Sequence, residues 1–358
     1  MSAKKKDKTP YISLPGISRR EFLKTAVTTG ILVASSGCAS QYSQSLAEQV
    51  EIKQGTEEFM FAYISDSHLL DRGKEHRFAR SLIKAVEDVN AMDPQPDFVL
   101  YGGDLAQLGL REELTLGKEI IAELKPKVHM MVGEHDWYFD MGEAWKEFFG
   151  NPTYSFDHKG IHFIVLNSVI VEDYWSETNM SPMDRMLFMA QLDNPKGRPF
   201  TVGKEQRGWL SNDLSSVKKD TPVVIFSHSP LYKYYKSWNF WTDDAEEVQG
   251  LLSPFETVTV LHGHTHQVLT NKIDHIVFHG MLSTAWPWPY APEGIPKYTR
   301  QMNRADPFNQ FDGTGWGKIH TIPNGNVNKT YNLWGRNPTV VSYDRILTER
   351  EPISDPSY

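Results

Sequence analysis

Five short segments of the chain carry side chains that bind hard divalent cations. In order they are Asp66-Ser67-His68, Gly102-Gly103-Asp104, Gly133-Glu134-His135-Asp136, Ser227-His228-Ser229-Pro230 and Gly263-His264-Thr265-His266. Carboxylate oxygens mixed with imidazole nitrogens suit Zn, Mn or Fe. The alternate spacing of Asp66 with His68, and of His264 with His266, puts each pair on one side of an extended chain. A single Asp-x-His often merely caps a loop. Five such segments in sequence point to a metal centre. Each follows a run that reads as a strand, and the C-terminal edge of parallel strands is where ligand sites form.

The set resembles the calcineurin-like metallophosphoesterase family, whose pattern is D-x-H, G-D, G-N-H-[DE], H and G-H-x-H. The resemblance spans Asp66 to His266. It implies a four-layer α/β sandwich, two mixed β-sheets flanked by helices, with the metal site at the C-terminal edge of the strands. It also implies roles. Asp66, His68 and His266 would hold a first metal, Asp104 would bridge, and His228 and His264 would hold a second. His135 would act as general acid or as a donor to the phosphate, and Asp136 would orient it. The implied cofactors are two divalent or mixed-valence metal ions, Fe, Mn or Zn. The implied reaction is hydrolysis of a phosphate ester by a bridging hydroxide, since paired cations acidify water and clamp phosphoryl oxygens.

The chain departs from the family pattern at Glu134, which stands where the family has Asn. Glutamate still binds hard cations, but it adds a negative charge. That tightens metal binding and weakens the pull on an anionic phosphate. A less charged substrate, a phosphodiester, or a more oxidised metal is one reading; a ligand swap without consequence for substrate class is the other. Leu105, Ala106, Gln107 and Leu108 follow Asp104, so the Tyr ligand of purple acid phosphatases is missing there. Two alternatives to a diesterase stay open: a phosphomonoesterase, or a non-catalytic metal-binding partner protein on the same fold. No ligand position nor His135 is lost, which weighs against the second.

These segments need elements to hold them. Phe59–Ser65, Phe98–Tyr101 and Val128–Val132 read as strands alternating with helices over Arg77–Asn90 and Arg111–Leu124, the rhythm of an α/β domain. Tyr154–Phe156, Ile161–Asn167, Val223–Ser227, Val258–His262 and Ile276–His279 read as further strands, and Lys204–Ser216 as a helix. Ile170–Val202 and Thr284–Gly315 read as long irregular stretches, expected to form walls or lids of the site. Trp137, Tyr138, Tyr232, Tyr234, Tyr235, Trp238, Trp241, Trp286, Trp288 and Tyr290 crowd the ligand segments. Most aromatics are core, but loop position makes some of these candidates for a substrate pocket. Lys233 and Lys236 are candidates for a substrate phosphate. His262 reads either as support for the metal ligands or as a buried strand-end residue.

The N-terminus indicates where the protein works. Lys4 to Lys8 give a basic start, Ser18-Arg19-Arg20-Glu21-Phe22-Leu23-Lys24 resembles a twin-arginine signal, and Thr25 to Ala34 is mildly apolar. The run is too short for a membrane span. Residues 1–40 are therefore expected to be an export signal, 41–56 a linker, 57–335 the catalytic domain and 336–358 a C-terminal tail. The expected partners are a small phosphate-ester substrate and the twin-arginine export machinery, and the expected location is the periplasm or cell surface. Gly37-Cys38 has the form of a lipoprotein cleavage site, but Ser35 stands where such sites carry an aliphatic residue. Cleavage near Ser40 is expected, with membrane attachment only if Cys38 is lipidated. Cys38 is the sole cysteine, so no internal disulfide forms. Without residues 1–40 the formal charge moves from −8 to −13. A surface that acidic argues against a nucleic-acid coat.

Overall fold

The structure, a computed structural model, describes residues 57–171, 180–189, 198–288 and 308–347. The expected signal, linker and Cys38 lie outside them, as does Tyr290.

In chain order the elements are β1 (Met60–Ile64), α1 (Arg77–Asn90), β2 (Phe98–Gly102), α2 (Arg111–Ile121), β3 (Lys127–Met131), α3 (Glu134–Trp137), α4 (Glu143–Phe149), β4 (Tyr154–His158) and β5 (Ile161–Leu166). They continue with α5 (Pro182–Met189), α6 (Lys204–Ser215), β6 (Val223–Ser227), β7 (Lys233–Tyr235), a 3-10 turn at Lys236–Trp238, β8 (Phe240–Trp241), α7 (Ala245–Leu252) and β9 (Val258–His262). The last are β10 (Leu269–Ile273), β11 (Ile276–Gly280), β12 (Gly315–Thr321), β13 (Val327–Leu333), β14 (Thr339–Val341) and α8 (Tyr343–Leu347).

Two six-stranded sheets result, ordered β14-β13-β12-β1-β2-β3 and β10-β11-β9-β6-β5-β4. In the first, β1, β2 and β3 run parallel and β12, β13 and β14 add antiparallel strands. In the second, β5, β6, β9 and β11 run parallel, with β4 and β10 antiparallel at the edges. The central strands are apolar throughout because both faces are covered. In β1, β2, β6 and β9 every residue is buried.

One core lies between the sheets, around Phe61, Phe163, Phe226 and Tyr331. A second packs α1, α2 and α4 on the first sheet through Leu82, Val86, Leu114 and Trp145. A third packs α6 and α7 on the second sheet through Leu210, Leu214 and Val248. In α1, Leu82, Ala85, Val86 and Val89 recur at helical spacing on the buried face. The order is helix, sheet, sheet, helix, the expected sandwich.

Two boundaries differ from the sequence reading. The segment from 336 onward is not simply a tail: β14 pairs with β13, and Val341 and Ile346 are buried in the central core. Three residues of strand are too short to show a period. The stretch Ile170–Val202 contains α5, whose Arg185 guanidinium donates to the carbonyls of Tyr138, Phe139 and Met180 at 2.7–3.0 Å. Tertiary hydrogen bonds of that kind leave no local pattern.

Lys329 on β13 is fully buried between the sheets. Its Nζ lies 2.5 and 3.1 Å from the ring nitrogens of His279. Burial pushes Lys329 well below the usual lysine range, and burial with Lys329 pushes His279 down. At Lys329 the unfolded chain therefore binds more protons than the folded one between the lowered pKa and about 10.5. The contribution of Lys329 to stability climbs with pH through that window. Lys329→Met should flatten the climb and stabilise the fold at neutral pH by on the order of 1–4 kcal/mol. Thermal melts of both proteins from pH 6 to 9 check this, and equal slopes would refute it.

Candidate metal centre

The ligand segments all emerge from the same edge. Asp66 and His68 follow β1, Asp104 follows β2, Glu134 opens α3 after β3, His228 follows β6, and His264 and His266 follow β9. The backbone there is not extended. Asp66, His68, Asp104, His264 and His266 all have φ between 47° and 62°. Asp and His are enriched among residues that tolerate this left-handed region. The x-spaced pairs do share one site, but tight turns aim them there rather than strand alternation. Close approach also needs glycine. A Cβ on Gly133 would overlap Asp104 Oδ1, and one on Gly263 would stand 2.8 Å from Asp66 Oδ2.

The side chains converge into two groups. Asp104, Glu134, His228 and His264 form one, and Asp66, His68 and His266 the other, with ligand atoms in each within 4.8 Å of one another. His228 Nε2 lies 2.9 Å from Glu134 Oε2 and 3.1 Å from Asp104 Oδ2. His264 Nδ1 lies 2.6 Å from Glu134 Oε1. His266 Nε2 lies 3.2 Å from Asp66 Oδ1 and 3.1 Å from His68 Nε2. Asp104 Oδ2 is also 3.7 Å from His68 Nε2, so this one oxygen stands between the groups.

Hydrogen bonds behind the imidazoles fix which nitrogen faces inward. His228 Nδ1 donates to the Gly102 carbonyl at 2.7 Å, His266 Nδ1 to the Trp286 carbonyl at 2.8 Å, and His264 Nε2 to the Asn239 carbonyl at 3.2 Å. A carbonyl only accepts, so each outer nitrogen carries a proton. In a neutral ring the inner nitrogen then offers a lone pair, the arrangement that orients histidine ligands. Glu134 Oε2, His228 Nε2 and His264 Nδ1 are buried and, among the described residues, form no well-aligned hydrogen bond. Inward lone pairs facing carboxylates, with unsatisfied atoms between them, fit a pair of cations.

The charges are strongly coupled. Burial alone would raise Glu134, but the imidazoles of His264 and His228 outweigh it and hold the carboxyl well below its usual range. Burial would lower His228, yet Asp104 and Glu134 hold it well above. Burial, with His135 and His266 nearby, pushes His68 well below the usual imidazole range.

His135 lies beside these two groups and forms with His68 and Asp104 a third, overlapping set whose ligand atoms are within 4.8 Å of one another. Its ring stands edge-on to His68, with centroids 4.7 Å apart. Its Nδ1 donates to the Gln107 carbonyl at 2.6 Å, which leaves Nε2 for the pocket that His135 lines. Asp136 does not orient it. The Asp136 carboxylate instead accepts the backbone N–H groups of Ala106, Gly133 and Leu105 at 2.8, 3.1 and 3.2 Å. It ties the loop after β2 to the loop after β3. Burial and the Asp104 carboxylate push Asp136 up to about 7, against the pull of those three donors.

The cavity over the groups measures about 170 Å³. Phe200, Trp238, Phe240, Trp286, Trp288 and Met189 give it an apolar wall. Of the aromatics singled out in the sequence, Trp238, Trp286 and Trp288 reach it. Tyr138, Tyr232 and Tyr234 are buried in the cores. No lysine or arginine lines it among the described residues, and Lys233 pairs with Glu246 instead. His262 is buried against Tyr232 and bonds the Gly263 carbonyl at 3.0 Å, so it braces the turn into His264. The sequence gives no sign of Asn239, whose contribution is a backbone carbonyl, nor of Phe200 and Phe240 as pocket walls.

A model of the calcineurin-like phosphoesterase family matches residues 59–268. A probable glycerophosphodiester phosphodiesterase, GpdQ, of Arcobacter nitrofigilis is 25% identical over 60% of this chain and 74% of its own length. A 3',5'-cyclic-nucleotide phosphodiesterase of Nostoc sp. is 20% identical over 63% of this chain and 78% of its own. A dimetal phosphatase of Danio rerio shares the fold with a TM-score of 0.52 at 14% identity, covering 80% of this chain and 99% of that one.

Asp136→Ala should strand three buried N–H groups, each costing about 1–3 kcal/mol. Its melting temperature should fall well below that of wild type, while His135→Ala should melt near wild type. Similar melting of the two variants would show that Asp136 is not the tie between the loops.

Proposed function

The chain belongs to the calcineurin-like phosphoesterase family, hydrolases of phosphoric ester bonds, and we propose that it cleaves phosphodiesters with a pair of metal ions. The observation that carries this reading is the inward convergence of the two ligand groups around Asp104 Oδ2. Asp66, His68 and His266 would hold one ion and Glu134, His228 and His264 the other, with Asp104 between them. When bound, such a pair supplies Lewis acidity toward phosphoryl oxygens and lowers the pKa of a water nucleophile.

The chain's own residues do the rest. The apolar wall excludes water and packs the organic part of the ester. His135 holds a proton at Nε2 for the departing oxygen, with the Gln107 carbonyl fixing the ring. Burial alone would lower His135, but Asp104, Glu134 and the Gln107 carbonyl outweigh it and raise its pKa.

The preference for diesters rests on charge. Glu134 is a third buried carboxylate beside Asp66 and Asp104, and no lysine or arginine lines the cavity among the described residues. A monoester dianion meets more repulsion there than a diester monoanion. The two relatives bearing phosphodiesterase names point the same way.

The test is metal analysis with paired nitrophenyl mono- and diester assays. The expected result is about two metal ions per chain and a diesterase activity lost in His135→Ala. Glu134→Asn should shift the ratio of rates towards the monoester. An unchanged ratio would mean that Glu134 does not set substrate class.

The reading also includes export. It is supported by Ser18 to Lys24, which lie outside the described residues. Arg19→Lys with Arg20→Lys should retain the protein in the cytoplasm of a host with twin-arginine export. Fractionation showing it still exported would count against this route.

A further inference from the structure

The imidazoles of the two groups are held in different ways. His228, His264 and His266 each donate an outer nitrogen to a backbone carbonyl. His68 does not. Among the described residues its Nδ1 is buried without a partner. On its inner side Nε2 meets His266 Nε2 at 3.1 Å, and ring contacts flank the rest of that imidazole. The nearest of them is Trp286, whose ring centroid lies 4.2 Å from that of His68 at an interplanar angle of 34°. Phe78 backs Trp286 at 5.3 Å.

Trp286 and its neighbour Ser283 touch every member of one group. The Trp286 carbonyl accepts from His266 Nδ1, and its ring lies 5.0 Å from that of His266. The Trp286 N–H donates to Ser283 Oγ at 3.2 Å, and that hydroxyl donates to the Asp66 carbonyl at 2.8 Å. The loop is further pinned by Thr284 N–H to the Ser65 carbonyl at 3.0 Å. Asp66, His68 and His266 are thus strapped by one short segment that lies beyond the region matched by the family.

We infer that Trp286 is a positioning residue for the ion held by Asp66, His68 and His266. Its indole face takes the place of the missing hydrogen bond and keeps His68 Nε2 aimed at that ion. The inference rests on the two-metal reading above. The backbone carbonyl survives substitution, so side-chain variants leave the bond to His266 in place and isolate the ring.

The experiment is titration of the metal-stripped full chain with Mn²⁺, followed by calorimetry. The step removed by His68→Ala identifies the first ion. Trp286→Leu should weaken that step by about 10–100-fold, the usual cost of losing an outer partner of a ligand, and leave the other step near wild type. Trp286→Phe should lose less, because an aromatic face remains. A folded Trp286→Leu protein with both steps as in wild type overturns the inference, and so does an equal weakening of both steps. If the Leu variant does not fold, Trp286→Phe decides: selective weakening of the first step supports the role, and an unchanged isotherm overturns it. Failure of the wild-type chain to bind two Mn²⁺ ions would instead bring down the two-metal reading and the inference with it.

Discussion

Three carboxylates, Asp66, Asp104 and Glu134, are buried together at one edge of the sandwich, and among the described residues no lysine or arginine pairs with them. Two like charges 4 Å apart repel by about 4 kcal/mol even at an effective dielectric constant of 20. The edge is therefore unfavourable unless positive charge enters it. In the protein alone the imidazoles supply part of that charge, which is why His228 is held so high. Two cations would supply it fully and let the imidazoles act as neutral ligands. The same requirement explains the backbone. Five residues sit in the left-handed region, where strain costs on the order of 1–3 kcal/mol each, less for Asp and His. Only a rigid frame holds such turns, and the parallel strands, buried on both faces, are that frame.

The frame also decides which residues act through others. Asp136 follows His135 in the chain, and adjacency suggested a carboxylate orienting an imidazole. A helical start sends consecutive side chains in different directions. His135 turns to the cavity while Asp136 turns back to three amides of neighbouring loops. The orienting group for His135 is the Gln107 carbonyl, which comes from the loop carrying Asp104. Asp136 fixes the distance between those two loops, and so acts on the site through the backbone.

The candidate ligand set was legible because its chemistry is written in residue types. Asp, Glu and His at the ends of apolar runs are rare enough together to mark a centre, and all seven converge. The central strands were legible for a related reason, since burial on both faces leaves continuous apolar runs. The added strands β12, β13 and β14 were not legible. β13 carries Asn328, Lys329, Thr330 and Asn332 among its apolar residues, and Lys329 points into the core against its own polarity. The carbonyl partners of the imidazoles were invisible for a more basic reason. Every residue has a carbonyl, so Gly102, Asn239 and Trp286 give no signal of the role their backbones play.

Trp286 joins these two kinds of residue. As an aromatic in a loop near a ligand segment it reads as a wall of the pocket, and it is one. Its carbonyl and ring also brace His266 and His68, so a wall of the cavity and the support of one group of candidate ligands belong to the same residue. A substrate that displaces the indole would disturb the imidazole beneath it. On the two-metal reading and the inferred role of Trp286, ligand fit at the wall and cation affinity at Asp66, His68 and His266 would be coupled in free energy, and such coupling acts equally in both directions. An ester that seats well against the wall should hold its own catalytic ion more tightly. One that seats badly loosens it.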